Sequence, residues 1–215
     1  MRKGMWLVTL VVAGILGQAS AVVLDLNPAP FRGEANTTLQ AWDFLTQADP
    51  AAPDAGWKNP FGNPSAELVG GFLNNTVWLE NDYGHQGVWI IDRSLKSDIL
   101  IGVPNSPRQN PYKDIWIQLV YSSQGDSAPI LYVQPDAQGY DMISLVSSAK
   151  VDSMYSYALY HFIIKPNPAF EVIRIRPRDC QVYVDSICIE TQCIPEPVTM
   201  VLLGLGGLLL RKRVA

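Results

Sequence analysis

Two histidines, His85 and His161, supply all the imidazole chemistry in this chain. His85 sits in Asp82-Tyr83-Gly84-His85-Gln86-Gly87, a turn. There it could act as a ligand or general base, but a solvated loop side chain is the expectation. His161 lies between aromatics in a strand-like run, the setting of a packed, hydrogen-bonded histidine. No Gly-x-Ser-x-Gly accompanies either, so a serine-hydrolase triad is not expected. A glycosidase needs two carboxylates at a working separation. Glu67, Glu80, Asp82, Asp92, Asp114, Glu171 and Asp185 are candidates, and nothing in their spacing singles out two. There is no CxxC, HExxH or Cys/His cluster with metal spacing, and no Asp-x-Asp-x-Asp-Gly calcium loop. No metal ligand, cofactor or catalytic residue is therefore named, and the chain reads as non-enzymatic.

Exposed tryptophans on a flat sheet could stack on sugar rings. Trp57 is the candidate for glycan binding, because it stands in the polar, turn-rich stretch Asp54 to Pro64. Trp42, Trp78, Trp89 and Trp116 each fall within a strand-like run. At least three of them are expected in the core.

The elements that would position these residues are strands. No segment of the body has helical periodicity. Short runs rich in Val, Ile, Tyr, Trp and Thr recur instead, bounded by Gly, Pro, Asn or Asp. The predicted strands are Thr38 to Leu45, Glu67 to Phe72, Val77 to Glu80, Val88 to Ile91 and Leu100 to Val103. Lys113 to Tyr121 follows, with Ile115, Ile117, Leu119 and Tyr121 on one face and Trp116, Gln118 and Val120 on the other. Then come Ile130 to Val133, Met142 to Val146 and Ser153 to Ile164. The last carries apolar groups on both parities, as a strand covered on both sides would. Ala169 to Arg176 and Gln181 to Glu190 close the series. In the first of these, charged residues alternate with Val172, Ile173 and Ile175, which means one wet and one buried face. Strands without helices must cover one another, so the body is expected to be all-β, an antiparallel β-sandwich or jelly roll. Val182-Tyr183-Val184-Asp185-Ser186-Ile187 resembles the last strand of many carbohydrate-binding-module-like jelly rolls. Val22 to Gly33 shows no partner signal, and Asn27-Pro28-Ala29-Pro30 reads as a linker or edge segment.

The two ends are processing signals. Arg2 and Lys3, the apolar run Met5 to Gly17 and the small-x-small site Ala19-Ser20-Ala21 form a secretory signal peptide, cleaved after Ala21. At the other end Pro195-Glu196-Pro197 precedes the apolar run Val198 to Leu210 and then Arg211-Lys212-Arg213. The run is roughly 13 residues, against about 20 needed to cross the hydrocarbon core. Gly204, Gly206 and Gly207 allow close helix packing in lipid. The three cations hold the tail on the cytoplasmic side, so Pro-Glu-Pro faces outward. Prolines disfavour helix before them, which leaves this tripeptide extended and accessible.

These three parts in order resemble the PEP-CTERM sorting signal of Gram-negative bacteria. Thr191-Gln192-Cys193-Ile194 just before it resembles planctomycete-type members. The resemblance makes Pro195, Glu196 and Pro197 the recognition residues for an integral-membrane exosortase with a cysteine nucleophile, and Arg211, Lys212 and Arg213 the basic stop. It implies a transient anchor in the inner membrane, then delivery to the cell surface or an extracellular polysaccharide matrix. The organisation expected is a signal peptide over 1–21, a β-sandwich over 22–194 and a sorting signal over 195–215, with signal and anchor helices at the ends. Signal peptidase and exosortase are the expected partners during export, with extracellular polysaccharide a candidate partner afterwards.

Charge sharpens this. Of 16 Lys and Arg, five (Arg2, Lys3, Arg211, Lys212 and Arg213) lie in the removable ends, and 11 remain against 20 Asp and Glu, so the body is near −9. Nucleic acid and anionic lipid are poor partners for such a surface. The body of about 170 residues fits one domain. Cys180, Cys188 and Cys193 are an odd set in an export context that permits disulfides. One pair at most can form; Cys188 with Cys193 would close a small loop, Cys180 with Cys188 would span a turn or irregular strand, and free buried thiols are the third option.

Overall fold

The computed structural model describes residues 26–54, 59–71, 77–108, 110–125, 127–135 and 141–194. The signal-peptide reading at Ala19 and Ala21 lies outside these residues. So do the sorting-motif reading at Pro195, Glu196 and Pro197, the basic stop Arg211, Lys212 and Arg213, and the terminal helices.

Among the described residues every regular element is a strand: β1 (Thr37–Trp42), β2 (Ser65–Val69), β3 (Trp78–Asp82), β4 (His85–Asp92), β5 (Asp98–Pro104), β6 (Tyr112–Ser123), β7 (Ile130–Pro135), β8 (Asp141–Met142), β9 (Ser144–Lys150), β10 (Ser156–Ile164), β11 (Phe170–Arg176) and β12 (Gln181–Ile194). They form two antiparallel sheets. The larger runs β3-β4-β12-β6-β10-β9, with β1 also on β12; the smaller runs β2-β5-β11-β7-β8.

Alternating side chains explain why two layers form. Ile115, Ile117, Leu119 and Tyr121 of β6 are buried, as are Ile99, Ile101 and Val103 of β5 and Ile173 and Ile175 of β11. These rows come from different sheets and share one apolar core. Each sheet hides its apolar face on the other, since neither could leave it in water. Trp42 and Trp89 belong to this core, and the Phe44 ring stacks on Trp89 at 4.2 Å. Trp78 packs against the core from its rim, with its Nε1 donating to the Phe44 carbonyl at 2.7 Å. Trp116 is the exception among the four: it stands on the outer face of the larger sheet and donates to the carbonyl of Asn27 at 2.8 Å.

Four other expectations are corrected. Met142 to Val146 is not one strand: Met142 ends β8 in the smaller sheet and Ser144 begins β9 in the larger. Ile143 between them is buried, and it anchors the crossing from one layer to the other. β10 starts at Ser156 rather than Ser153, because Asp152 Oδ1 accepts the amides of Met154 and Tyr155 at 2.7 Å and holds a turn there. Asn27-Pro28-Ala29-Pro30 is no linker. It lies across the outer face of the larger sheet, where the Asn27 amide donates to Gln118 Oε1 and the Ala29 amide to Glu190 Oε2, both at 2.8 Å. Arg32 completes that strap with an ion pair to the buried Glu190. Finally, Glu171 shares the parity of Ile173 and Ile175, and so lies on the buried face of β11.

The proposed disulfide between Cys188 and Cys193 is absent, and Cys180, Cys188 and Cys193 are free thiols. Cys188 and Cys193 lie in one unbroken stretch of β12. Five strand residues span about 16 Å and reverse the facing of the side chain. A disulfide needs Cα atoms within about 7 Å.

Candidate functional site

One edge of β12 serves two partners in succession. Val184 pairs with Trp89 of β4; from Ile187 onward the same edge pairs with β1, beginning at Trp42. The hand-over coincides with a register shift between Val184 and Ser186. A bulge of this kind redirects the extra side chain, here Asp185. The seam also demands glycine at position 87. Its φ is +74°, and a Cβ would sit 2.3 Å from the carbonyl oxygen of Phe44.

β3 and β4 are joined by a two-residue turn, Tyr83-Gly84, in which both residues have positive φ. That is the backbone of a type I′ hairpin. The turn holds the Tyr83 side chain 72 % exposed at the tip and brings His85 back over the seam. His85 is not the solvated loop residue expected. Its Nε2 lies 2.8 Å from Asp152 Oδ2, its Nδ1 lies 3.1 Å from Asp185 Oδ2, and its ring stacks on Tyr155 at 3.7 Å. Tyr155 is fully buried, and its hydroxyl donates to Asp82 Oδ2 at 2.8 Å.

The electrostatics follow from these bonds. Burial alone would lower the His85 pKa, but the hydrogen bonds to Asp152 and Asp185 and their charges outweigh it and hold it above the ordinary histidine value. The His85 hydrogen bond, with the backbone amide of Tyr155, pulls Asp152 down to about 2. Asp185 moves up, because its burial exceeds the help it receives from His85. Burial, then the charges of Asp54 and Asp185, lifts Asp43 to about 7. With both ring nitrogens engaged by carboxylates, the imidazole has no free nitrogen with which to act as a base. Its role is to brace Asp152 and Asp185, and with them the turn over Tyr155. Among the described residues no three His, Cys, Asp or Glu side chains are set to hold a metal ion.

Above this brace is a cavity of about 290 Å³ lined by Asp82, Tyr83, Ser122, Ser123, Gln124, Met154 and Tyr183. Two tyrosines and a methionine provide apolar walls. A carboxylate, two hydroxyls and an amide provide hydrogen-bonding groups. The Asp82 carboxylate is aimed by the Tyr155 hydroxyl, and the Tyr183 hydroxyl donates to Gln181 Oε1 at 2.8 Å. Apolar walls with a few fixed polar groups suit a small polyhydroxylated ligand.

No family model matches this chain, and no curated protein matches it. Among solved structures it is similar to "CBM35 from Cellvibrio japonicus Abf62", with 12 % identity and a TM-score of 0.37 over 58 % of this chain and 92 % of that one. It is also similar to the K1 cleaved adhesin domain of Lys-gingipain from Porphyromonas gingivalis W83, with 12 % identity and a TM-score of 0.32 over 71 % of this chain and 97 % of that one. Likeness at this level carries no argument about ligand or activity.

The residues singled out from sequence are dispersed by the fold. Trp57, the candidate for glycan binding, lies outside the described residues. His161 is hydrogen-bonded as expected, to Asp114 Oδ1 at 2.7 Å, but it is half-buried beside Trp116 on the outer face. Of the candidate carboxylates, Asp82 and Asp185 come together around His85 and Tyr155. Asp92 caps the turn at Ser94, Glu171 is buried against Lys113, and Glu67 and Glu80 are exposed. The groove tyrosines Tyr83 and Tyr183 were missed. For Tyr83 a signal existed: an aromatic beside Gly84 in a two-residue hairpin turn cannot reach a core.

Proposed function

We propose that this chain is an exported, non-enzymatic glycan-binding protein, built on a β-sandwich of jelly-roll type and carried to the cell surface or an extracellular matrix. The groove beneath Tyr83 carries the reading. It offers an exposed aromatic at a hairpin tip, a second tyrosine wall and four hydrogen-bonding side chains, all on a rigid sheet face braced by His85. The Asp82 carboxylate in the groove disfavours anionic sugars, so a neutral oligosaccharide fits best. Sorting through Pro195, Glu196 and Pro197 by an exosortase accounts for delivery, on the resemblance of the tail.

Glycan-array binding followed by calorimetry tests the groove. Tyr83→Asn is the informative variant, since asparagine tolerates positive φ and leaves the turn intact. Losing one aromatic contact of about 1 kcal/mol should weaken a neutral ligand roughly fivefold. Binding to no neutral glycan, or unchanged affinity in Tyr83→Asn, would remove the groove as the site. Trp57→Ala in the same assay decides whether that tryptophan contributes.

A further inference from the structure

A cluster of cations stands on the smaller sheet. The outer face of that sheet, near the β4–β5 turn, has a cavity of about 350 Å³ lined by Arg93, Lys96, Asp98 and Arg176. Arg176 grips Asp98 with two bonds, Nε to Oδ1 at 3.1 Å and Nη2 to Oδ2 at 3.0 Å. Arg174 Nε lies 2.8 Å from the same Asp98 Oδ2. The Arg176 guanidinium also sits 5.7 Å from the Tyr132 ring centroid. Arg93 and Lys96 are exposed, and Arg93 Nη1 donates to the Arg178 carbonyl at 2.6 Å. Two arginines thus share one buried carboxylate, and Arg93 and Lys96 add two further cations to the same cavity, in a chain whose net charge is −4. Asp98 holds the two β11 arginines in position before any ligand arrives, so little side-chain entropy is lost on binding.

We propose that this face binds a carboxylated polysaccharide. The four cations outnumber the Asp98 carboxylate, and the exposed Arg93 and Lys96 stand in the same cavity to meet a second one. The Tyr132 ring beside Arg176 offers an apolar surface to a sugar. The site is separate from the Tyr83 groove and does not depend on it. With both occupied, one molecule would connect a neutral and an acidic glycan.

The test is affinity electrophoresis of the full chain through gels containing polygalacturonate, at low and at 0.5 M salt. Retardation is expected at low salt and should vanish at high salt, because exposed charge pairs are screened. Methyl-esterified polygalacturonate should give none. Arg93→Gln with Lys96→Asn leaves the Asp98 pairs untouched and should weaken retention about tenfold or more. Tyr83→Asn should leave it unchanged, which separates this site from the groove. Equal retention of the double variant overturns the proposal. So does retention by the esterified polymer, or equal retention by double-stranded DNA, which would mark a generic polyanion surface.

Discussion

Asp43 shows how burial at the seam becomes a property of the protein. The residue is 5 % exposed, its backbone amide donates to Asp54, and its pKa rises from an ordinary 3.8 to about 7. Between about pH 4 and 7 the folded chain keeps a proton that the unfolded chain has released. Stability therefore falls as pH rises through that window and levels off above it. Asp54 and Asp185 are also raised, chiefly by burial, and act in the same sense. His85 adds to the trend: its raised pKa gives stability that is complete below 6.5 and lost as pH climbs through the folded value. Asp152 works at the acid end, where its contribution, present above 3.8, is lost as pH drops toward about 2. Melting should thus occur at higher temperature at pH 5 than at pH 8. Asp43→Asn should raise the melting temperature at pH 8 by about 2–4 °C for each 1 kcal/mol recovered, with little change at pH 5. Superimposable melting curves for the variant and the parent at pH 8 would contradict the assigned proton.

At the scale of elements, β6 and β11 are joined by more than apolar packing. Lys113 of β6 and Glu171 of β11 form an ion pair between the sheets, and both side chains are fully buried. Burial pushes the Glu171 pKa up against the opposing pull of Lys113. Asn105 donates to Glu171 and, at 2.9 Å, to the Pro168 carbonyl. Asn105 Oδ1 and Asn167 Nδ2 are buried without a partner. An acceptor and a donor left over in one polar region suit an internal water molecule. Removing one charge strands the other, so Glu171→Ala should cost about 3–5 kcal/mol, whereas Lys113→Met combined with Glu171→Leu should be neutral or stabilising by about 1–4 kcal/mol. Urea denaturation reads both variants. A single variant as stable as the parent would mean that Lys113 reaches water. Sequence parity already aligned Lys113 with Ile115 and Glu171 with Ile173. That they meet required knowing that β6 and β11 lie in facing layers.

For the whole molecule, sorting and folding are separable. If the tail is a sorting signal, Glu196→Ala in a strain carrying an exosortase should leave the full-length chain at the membrane. Mass spectrometry of cell fractions would show the uncut mass, and normal release would argue against the resemblance. Most strands were legible in the sequence because a buried sheet face imposes period two on its apolar residues, and Gly, Asn, Asp and Pro mark the turns. Ile115, Ile117, Leu119 and Tyr121 are the plainest case. The exceptions have local causes: the chain changes sheets at Ile143, and Asp152 ties off the turn before β10. The sites were less legible. Alternation tells which side of a strand a residue faces, not which distant residue lies opposite. Asp82, His85, Asp152 and Asp185 meet only because a bulge, a glycine seam and a tight hairpin converge. Arg93 and Lys96 join Arg174 and Arg176 only because β5 pairs with β11. The sequence alone determined the strand-rich architecture and the acidic balance, both properties of near neighbours and of composition. The tertiary structure alone decided which charges became partners, because pairing depends on sheet order and register, and these are set by contacts between residues far apart in the chain.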